Sequence, residues 1–489
     1  MKFHPRWAGT ALFVVVTGVL VPSTASAVDR YWVCDSGSWD SNLCWSATAG
    51  GAGGASVPND TDNIYLTAGN LTGDVYLGRT GTGTFTQSGG TVSGELHLGY
   101  EFGGNGSYTL SAGSLTAGFE HIGDNESGTG TFTQSGGTNT VGDLRLAWGS
   151  GSHGTFTQSG GTNTVSGNIS LAYDNGSGTS RGTYALTGGT LNVGGNIVNG
   201  SGSSTFTING GTLNVGGIVL GDDGHNLNHS DSIFTLSGTG SLTADYESIG
   251  PAASFPNGRG IFTQSGGTHT VTDLSIGSVG TYNLSGGTLH AGNISVNSAG
   301  NFNFNGGRLA VGTFNGSLSN NGGTLAPGNS PGTTNINGNY TQSALGVYAV
   351  DIGGLLAGTE HDVLNVSGTA TLDGTLNISV IDLGSGLFTP HLGDSFDILT
   401  ADLIQGSFSL FTLAALDPGL KWDINYLTDA IGTTDVVRLS VDAVPVPPAV
   451  WLFGSGLLGL VAVARRHKAS LVRNQSAIRK PHLAGAFHF

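Results

Sequence analysis

A short block that ends in a pair of glycines recurs through the middle of the sequence. GTFTQSGGT stands at 83–91, 130–138 and 154–162, and the shorter IFTQSGGT stands at 261–268. With looser copies included, the Gly pair or its equivalent occurs eleven times between residues 89 and 322, at intervals of 16 to 28 residues. A repeat of this length in a sequence rich in β-forming residues and Gly turns is typical of a solenoid.

An aromatic residue stands four positions before the Gly pair in ten of the eleven copies, and Leu318 takes this position in the last. The ten are Phe85, Tyr108, Phe132, Phe156, Tyr184, Phe206, Phe234, Phe262, Tyr282 and Phe302. Gln or an apolar residue usually follows two positions later, as at Gln87. Because side chains alternate along a strand, both positions lie on one face. We expect a continuous inner column of aromatic rings, with the Gln amides stacked into a ladder.

The repeat length decides between two all-β architectures. A β-propeller needs about 40–50 residues per blade, whereas one coil of a parallel β-helix has about the observed length. A second apolar pair, such as Leu96 and Leu98, follows the turn and indicates two or three short strands per repeat. The sequence therefore predicts an all-β fold, a right-handed parallel β-helix of about 11 coils over residues 63–325.

Composition and charge exclude several other classes of protein. The 86 Gly among 489 residues do not recur at every third position, which excludes collagen. The segment 28–443 carries 8 basic and 32 acidic residues, a formal net charge of −24. A body this acidic is not expected to bind nucleic acid or anionic lipid through its charge.

Residues 1–27 have the pattern of a secretory signal peptide. Lys2 and Arg6 precede a short apolar run at 11–20, and Ala25-Ser26-Ala27 gives a small-residue cleavage site. The sequence therefore predicts that the chain is exported.

A second apolar segment lies near the other end of the chain. Residues 449–464 follow a Pro-rich spacer and precede a basic cluster that contains Arg465 and Arg466. As a helix the segment would be about 24 Å long, slightly shorter than a bilayer core of about 30 Å. We expect a single transmembrane helix, with Trp451 at one interface and the basic cluster in the cytoplasm.

Residues 444–468 together resemble the PEP-CTERM sorting signal. Pro445 and Pro447 match the two prolines of that motif, Val446 stands where Glu is usual, and Arg465 and Arg466 match its basic end. The resemblance implies that an exosortase-type protease processes the chain while the helix holds it transiently in the inner membrane. It also implies a Gram-negative bacterium, export through its inner membrane to the cell surface or the extracellular matrix, and association with exopolysaccharide and biofilm matrix. A polar tail, 469–489, extends beyond the motif, and a plain anchor without cleavage is the alternative.

Two further segments flank the repeats. Residues 28–62 contain three Trp together with Cys34 and Cys44, which we expect to form a disulfide in an oxidising compartment and to belong to an N-terminal cap. Residues 326–443 contain APGNSPG at 326–332, NGNYTQ at 337–342 and GDSFDILTA at 393–401. With these motifs the segment resembles the one that closes the β-helix of autotransporter-like adhesins, which implies a C-terminal β cap.

Catalysis and metal binding have few candidates in this sequence. The repeats hold isolated arginines, and the acidic pairs Asp124/Glu126, Asp222/Asp223 and Asp245/Glu247 are all expected in or near turns, where Asp is common for backbone reasons. His225 and His229 lie in a Gly-containing segment, which favours an exposed loop with polar side chains over a metal site. We therefore expect no enzyme, no metal site and no cofactor, although acidic turns leave loose Ca²⁺ binding open.

These patterns favour a secreted structural or adhesive protein of the cell surface or biofilm matrix, with extracellular polysaccharide as its partner. Outward rows of Thr, Ser and Asn would bind the hydroxyl groups of such a polymer. Two alternatives stay open. A polysaccharide lyase or glycoside hydrolase would need carboxylates and a cation that converge across neighbouring coils. A protein-binding adhesin would expose aromatic or apolar patches on one flank.

Overall fold

The computed structural model describes residues 27–173, 179–221, 231–250, 259–328, 330–445, 455–466 and 468. The predicted signal peptide, apart from Ala27, lies outside these residues, as do the loop with His225 and His229, the motif residues Pro447 and Trp451, and the tail. The described chain is almost entirely β-structure, with one short 3₁₀ helix at Asn42–Cys44 and a helix at 455–466.

The strands are numbered in chain order. The first six are β1 (Asp29–Trp32), β2 (Ser36–Ser38), β3 (Trp45–Ser46), β4 (Asn63–Leu66), β5 (Asn70–Thr72) and β6 (Val75–Leu77). The central strands are β7 (Thr82–Ser93), β8 (Leu96–Leu98), β9 (Asn105–Asp124), β10 (Thr129–Gln134), β11 (Thr138–Trp148), β12 (His153–Gln158), β13 (Thr162–Val165), β14 (Ile169–Tyr173), β15 (Arg181–Leu186), β16 (Thr190–Asn199), β17 (Ser203–Ile208), β18 (Thr212–Leu220), β19 (Ser232–Leu236), β20 (Ser241–Ile249), β21 (Gly260–Ile276), β22 (Gly280–Val296), β23 (Asn301–Phe304) and β24 (Arg308–Asn315). The last are β25 (Leu318–Asn320), β26 (Thr324–Pro327), β27 (Thr333–Asn337), β28 (Tyr340–Gln342), β29 (Val347–Ile352), β30 (Val363–Leu372), β31 (Thr375–Val380), β32 (Ser395–Gly406), β33 (Leu410–Leu413), β34 (Leu420–Ile431) and β35 (Thr434–Ala443).

The strands form a parallel β-solenoid of about 12 turns, which confirms the predicted class of fold. Each coil has three strand segments, which define three faces of the solenoid. In one coil they are β12, β13 and β14, and these pair in parallel with β15 and β16 of the next coil. Longer strands such as β9 run through all three faces. Face 1 carries the aromatic position, face 2 follows the Gly pair, and face 3 carries the second apolar pair.

The ten aromatic residues form one column in the interior of face 1. Neighbouring rings are stacked along the whole column, with centroid distances from 4.5 Å to 5.5 Å. Register explains the column, because each aromatic pairs directly with the aromatic of the next coil, as Phe132 does with Phe156. All ten are buried except Phe302, which is partly exposed.

The Gly pair makes the corner between faces 1 and 2. Its second member has a positive φ, for example 66° at Gly137 and 69° at Gly161. A Cβ on Gly161 would lie 2.4 Å from the carbonyl oxygen of Gly137 in the preceding coil. Backbone conformation and close stacking of coils therefore both require Gly at this position.

The expected ladder of stacked Gln amides is wrong. The amide nitrogen of Gln158 donates a hydrogen bond of 2.9 Å to the backbone oxygen of Thr190 in the next coil, and its Oε1 accepts from the hydroxyl of Tyr184 at 2.7 Å. Gln87 and Gln264 have the same two kinds of partner. A backbone oxygen and a Tyr hydroxyl lie within reach, so the amides bind these groups instead of each other.

The N-terminal segment packs onto the first coil. Cys34 and Cys44 are joined by a disulfide, and β1 pairs in parallel with β4. Trp39 stacks on Phe85 with a centroid distance of 6.4 Å, so that an indole ring continues the aromatic column at this end.

Parallel pairing continues beyond residue 325, as far as β33 on β31. The last strands differ, because β35 pairs antiparallel with both β32 and β34. Beyond them, Pro445 is exposed, and Arg465 and Arg466 are exposed at the end of the helix at 455–466. Within the described ranges, no helix has the length and apolar character needed to span a membrane.

Candidate functional site

A shallow groove follows the corner between faces 2 and 3 along the solenoid. One stretch is walled by Asn192, Asn214 and Thr243 and floored by Gly194 and Gly216. A second stretch, lined by residues of β21, β22 and β24, continues it in register, because Thr243 pairs with Thr270. The groove therefore extends across consecutive coils in the direction of the solenoid axis.

The local sequence accounts for the shape of the groove. In LNVGG, at 191–195, Leu and Val point into the core and the glycines that follow have no side chain, so the floor is bare backbone. Asn214 donates a hydrogen bond of 2.9 Å from Nδ2 to Oδ1 of Asn192. One wall of the first stretch is thus a row of amides and hydroxyls at the strand spacing of about 4.8 Å. In the second stretch the same row continues from Thr270 to His290 and Ala310.

Face 3 carries a different set of outward side chains in its first coils. Tyr76, His97, His121 and Arg145 occupy one row in direct register. In later coils the row consists of small or neutral residues, namely Ser170, Val198, Val219, Ser248, Ser275, Ser295, Asn315 and Asn337. Ionisable and aromatic side chains of this row are therefore concentrated at the N-terminal end of the described solenoid.

His97, His121 and Asp124 form a compact cluster in this row. The two imidazole rings are stacked with a centroid distance of 4.9 Å. Oδ2 of Asp124 lies 3.3 Å from Nδ1 of His97 and 3.4 Å from Nδ1 of His121. Gly123, at φ 74°, interrupts the alternation of the strand and brings the Asp124 side chain back to the His row. One ligand atom from each of the three residues lies within 4.8 Å of the others.

The cluster is largely shielded from solvent. His97 is 7% exposed and Asp124 is 5% exposed. Tyr76 stacks on the other face of His97 at 4.6 Å, and Tyr100 packs edge-on against it at 5.1 Å. Nε2 of His97 makes no hydrogen bond within the described chain, although Oε2 of Glu95 lies 3.6 Å away. The rings are therefore fixed in position by stacking.

The carboxyl of Asp124 is held in its charged form. Burial alone would raise its pKa, but the neighbouring His121 and His97 side chains and the backbone N–H of Asn125 outweigh that effect, so the pKa of Asp124 lies well below its usual range. The cluster thus combines two imidazoles with a carboxylate, the donor types that bind Zn²⁺ and related ions.

Aromatic side chains continue beyond the cluster. The guanidinium of Arg145 lies 4.3 Å from the ring centroid of Trp148 and 5.1 Å from that of Phe119. Trp148 in turn stacks on Tyr173 at 4.1 Å. These rings are partly exposed, so the first coils present a flank of aromatic surface beside a cation.

The expectation that the acidic pairs lie in or near turns is wrong for Glu247. This side chain is inside β20, fully buried, in register with Ile218 and Leu274 of the adjacent coils. Its Oε1 lies 3.0 Å from Nε2 of His269, whose Nδ1 lies 2.8 Å from the hydroxyl of Tyr282.

Glu120 occupies the equivalent inward position of an earlier coil. It is buried in register with Leu96 and Leu144, and Oε2 accepts a hydrogen bond of 3.1 Å from Asn139. Burial raises the pKa of Glu120 to about 7. Both buried carboxyl groups are closed off from the surface and so belong to the core rather than to a binding site.

Sequence reasoning did not find the His97, His121 and Asp124 cluster. A signal was present, because His97 and His121 are one repeat length apart and each follows a core position of its coil. Aligning the outward positions of face 3 would have placed them side by side.

Two arginines of the repeats form ion pairs with nearby carboxylates. Arg79 pairs with Glu101 at 2.6 Å, and Arg259 pairs with Asp231 at 2.6 Å. Glu126 is exposed.

The fold and the surface define this chain as a parallel β-solenoid protein with an axial groove. No protein-family model matches the sequence, and no curated protein shows significant similarity to it.

Proposed function

We propose that this protein is a non-enzymatic structural and adhesive solenoid that binds extracellular polysaccharide along the groove between faces 2 and 3. The observation that supports this proposal is the axial groove itself, which has glycines in its floor and an unbroken row of Asn192, Asn214, Thr243 and Thr270 along one wall. An extended polymer laid along this stretch would meet an amide or a hydroxyl group at each of these four coils. Amides and hydroxyls both donate and accept, which suits neutral sugar hydroxyls.

The delivery of the protein is part of the same proposal. The signal peptide at 1–27 exports the chain, and the PEP-CTERM-like segment at 444–468 holds it in the inner membrane through a helix at 449–464. An exosortase-type protease then releases it to the cell surface or the biofilm matrix.

We also propose that the coils of the solenoid are right-handed, because parallel crossover connections almost always are.

Cell fractionation tests the sorting step. Immunoblots of cells with and without exosortase should show loss of the C-terminal segment only when the protease is present. A surface-exposed protein that keeps residues beyond Lys468 would refute processing.

A glycan array on the purified chain, combined with a reducing-end assay, tests the binding function. We expect binding without release of reducing ends. Asn214→Ala with Thr243→Ala removes two wall residues in register and should weaken binding by at least about tenfold, since each lost hydrogen bond contributes about 1 kcal/mol.

The matched control lies in the same two coils on face 1. Thr207 and Thr235 are also outward and in register, but they lie away from the groove. The double substitution Thr207→Ala with Thr235→Ala should leave binding unchanged. Equal losses in both double variants would refute the groove as the site, and sugar turnover would favour a lyase or hydrolase instead.

A protein-binding adhesin is the second candidate, because aromatic side chains are exposed on the first coils. Phe102 is 77% exposed, and Tyr76 and Phe119 are also exposed. This surface is separate from the groove. Binding to a protein ligand that is lost in Phe102→Ala but kept in the groove variant would support this alternative.

A further inference from the structure

We propose that His97, His121 and Asp124 form a binding site for one divalent transition-metal ion of the Zn²⁺ class. This site goes beyond polysaccharide binding and does not depend on it. The ion would be held between the ends of the third strand segments of two consecutive coils, at the N-terminal end of the solenoid.

The distances between donor atoms fit such an ion. Metal bonds of about 2.0–2.1 Å in tetrahedral geometry place neighbouring ligand atoms roughly 3.4 Å apart. The distances from Oδ2 of Asp124 to Nδ1 of His97 and of His121 are 3.3 Å and 3.4 Å. Two edges of a tetrahedron are therefore already present. Three protein ligands leave a fourth position for water or an external ligand.

The second ring nitrogen of His97 also has a suitable partner. A neutral imidazole that binds a metal through Nδ1 carries its proton on Nε2. In His97 this nitrogen faces Oε2 of Glu95 at 3.6 Å and makes no hydrogen bond within the described residues. Metal-bound His commonly donates its second N–H to a carboxylate, which orients the ring. Glu95 is therefore placed as the outer partner of His97.

The frame around the site is rigid before any ion binds. His97 and His121 lie on hydrogen-bonded parallel strands in direct register, and Tyr76 and Tyr100 enclose the ring of His97. Because the ligands are already held in place, binding would cost little conformational entropy, which favours high affinity. Two nitrogen donors select Zn²⁺, Co²⁺, Ni²⁺ or Cu²⁺ over Ca²⁺, which prefers an all-oxygen site.

Metal titration of the full chain, purified without a His tag and treated with chelator, tests the proposal. Calorimetry with Zn²⁺ should detect one ion that is lost in His121→Asn and in Asp124→Asn. Co²⁺ at the same site should give the visible absorption of a tetrahedral centre. Zn²⁺ should also raise the thermal unfolding midpoint of the wild type and leave those of the two variants unchanged, whereas Ca²⁺ at equal concentration should not raise it.

Control variants separate this site from other histidines and from misfolding. His153→Asn changes an exposed His two coils beyond His121 and should leave the stoichiometry unchanged. Glu95→Gln should keep the tetrahedral Co²⁺ spectrum but weaken binding by about tenfold or more. If the two ligand variants have wild-type thermal midpoints without metal and still bind the same number of ions, the assignment is overturned. A wild type that binds no Zn²⁺ overturns it as well.

Discussion

The side chain of Gln134 provides a quantitative test of the interior. Its Oε1 is buried and makes no hydrogen bond within the described chain. In three other coils the corresponding Gln oxygen accepts from a Tyr hydroxyl in the next coil, as Gln158 does from Tyr184 at 2.7 Å. Phe156 stands where that Tyr would be, directly after Gln134 in the column. A single hydroxyl group is therefore missing from one coil.

The substitution Phe156→Tyr should stabilise this region by about 1 kcal/mol. The new hydroxyl would donate to Oε1 of Gln134, as the hydroxyl of Tyr184 donates to Oε1 of Gln158. A buried acceptor left without a partner costs about 1–3 kcal/mol, and part of that is recovered after the hydroxyl is itself desolvated.

The reverse change, Tyr184→Phe, should destabilise its coil by about 2–4 kcal/mol. It leaves Oε1 of Gln158 and Nδ2 of Asn163 without their partner, at about 1–2 kcal/mol for each buried group. Phe206→Tyr is the matched control, since Leu186 and Leu191 stand at the two partner positions of the preceding coil. Its hydroxyl would be buried without a partner and should cost about 1–3 kcal/mol.

Hydrogen exchange measured by mass spectrometry is the suitable assay, because repeat proteins open locally and a single unfolding midpoint averages over coils. The free energy of opening should rise in peptides around Phe156 and fall in peptides around Tyr184 and Phe206 in the respective variants. If Phe156→Tyr and Phe206→Tyr have the same effect, the pairing of Tyr with Gln does not explain the stability of the interior.

Two further predictions concern the core and the corners. Between about pH 4.5 and pH 7, Glu120 is protonated in the folded state and ionised in the unfolded state. The free energy of unfolding should therefore fall by about 3 kcal/mol in total as the pH rises through this window. Denaturant unfolding from pH 4.5 to 8 should lose this component in Glu120→Gln and retain it in Glu126→Gln, and equal profiles would contradict a buried acid. Gly161→Ala should destabilise its coil by at least about 1–2 kcal/mol, because φ is positive and the new Cβ would meet a backbone oxygen. Gly103→Ala should cost less, because φ is also positive there but no atom lies close to the new Cβ. Hydrogen exchange distinguishes the two, and equal losses would refute the contact between coils as the cause.

The sequence was sufficient to predict the solenoid and its aromatic column, because both follow from one spacing that repeats. Residues such as Phe132 and Phe156 are in register on adjacent strands whenever the repeats stack in parallel. The partners of Gln158 were not predictable from spacing, since they depend on which neighbouring group comes closest. The backbone oxygen of Thr190 and the hydroxyl of Tyr184 are both within hydrogen-bonding distance of its amide.

The acidic residues show a second limit of prediction. The pair Asp245/Glu247 is expected in or near a turn, but Glu247 occupies a position that is Ile218 or Leu274 in the neighbouring coils. Only the register of the third strand segment reveals that the side chain points inward. The same register places His97 beside His121. An alignment of the third strand segments of successive coils would therefore have predicted both the buried Glu247 and the His cluster.

Parallel register turns each outward position into a row that runs along the solenoid. A row with one kind of side chain repeats the same contact, whereas a row that changes chemistry marks a local site. The groove wall is of the first kind between Asn192 and Thr270, where amides and hydroxyls follow one another from coil to coil. The row that contains His97 and His121 is of the second kind. Because the His97, His121 and Asp124 cluster and the groove wall lie on different coils, His121→Asn should abolish metal binding and leave polysaccharide binding intact.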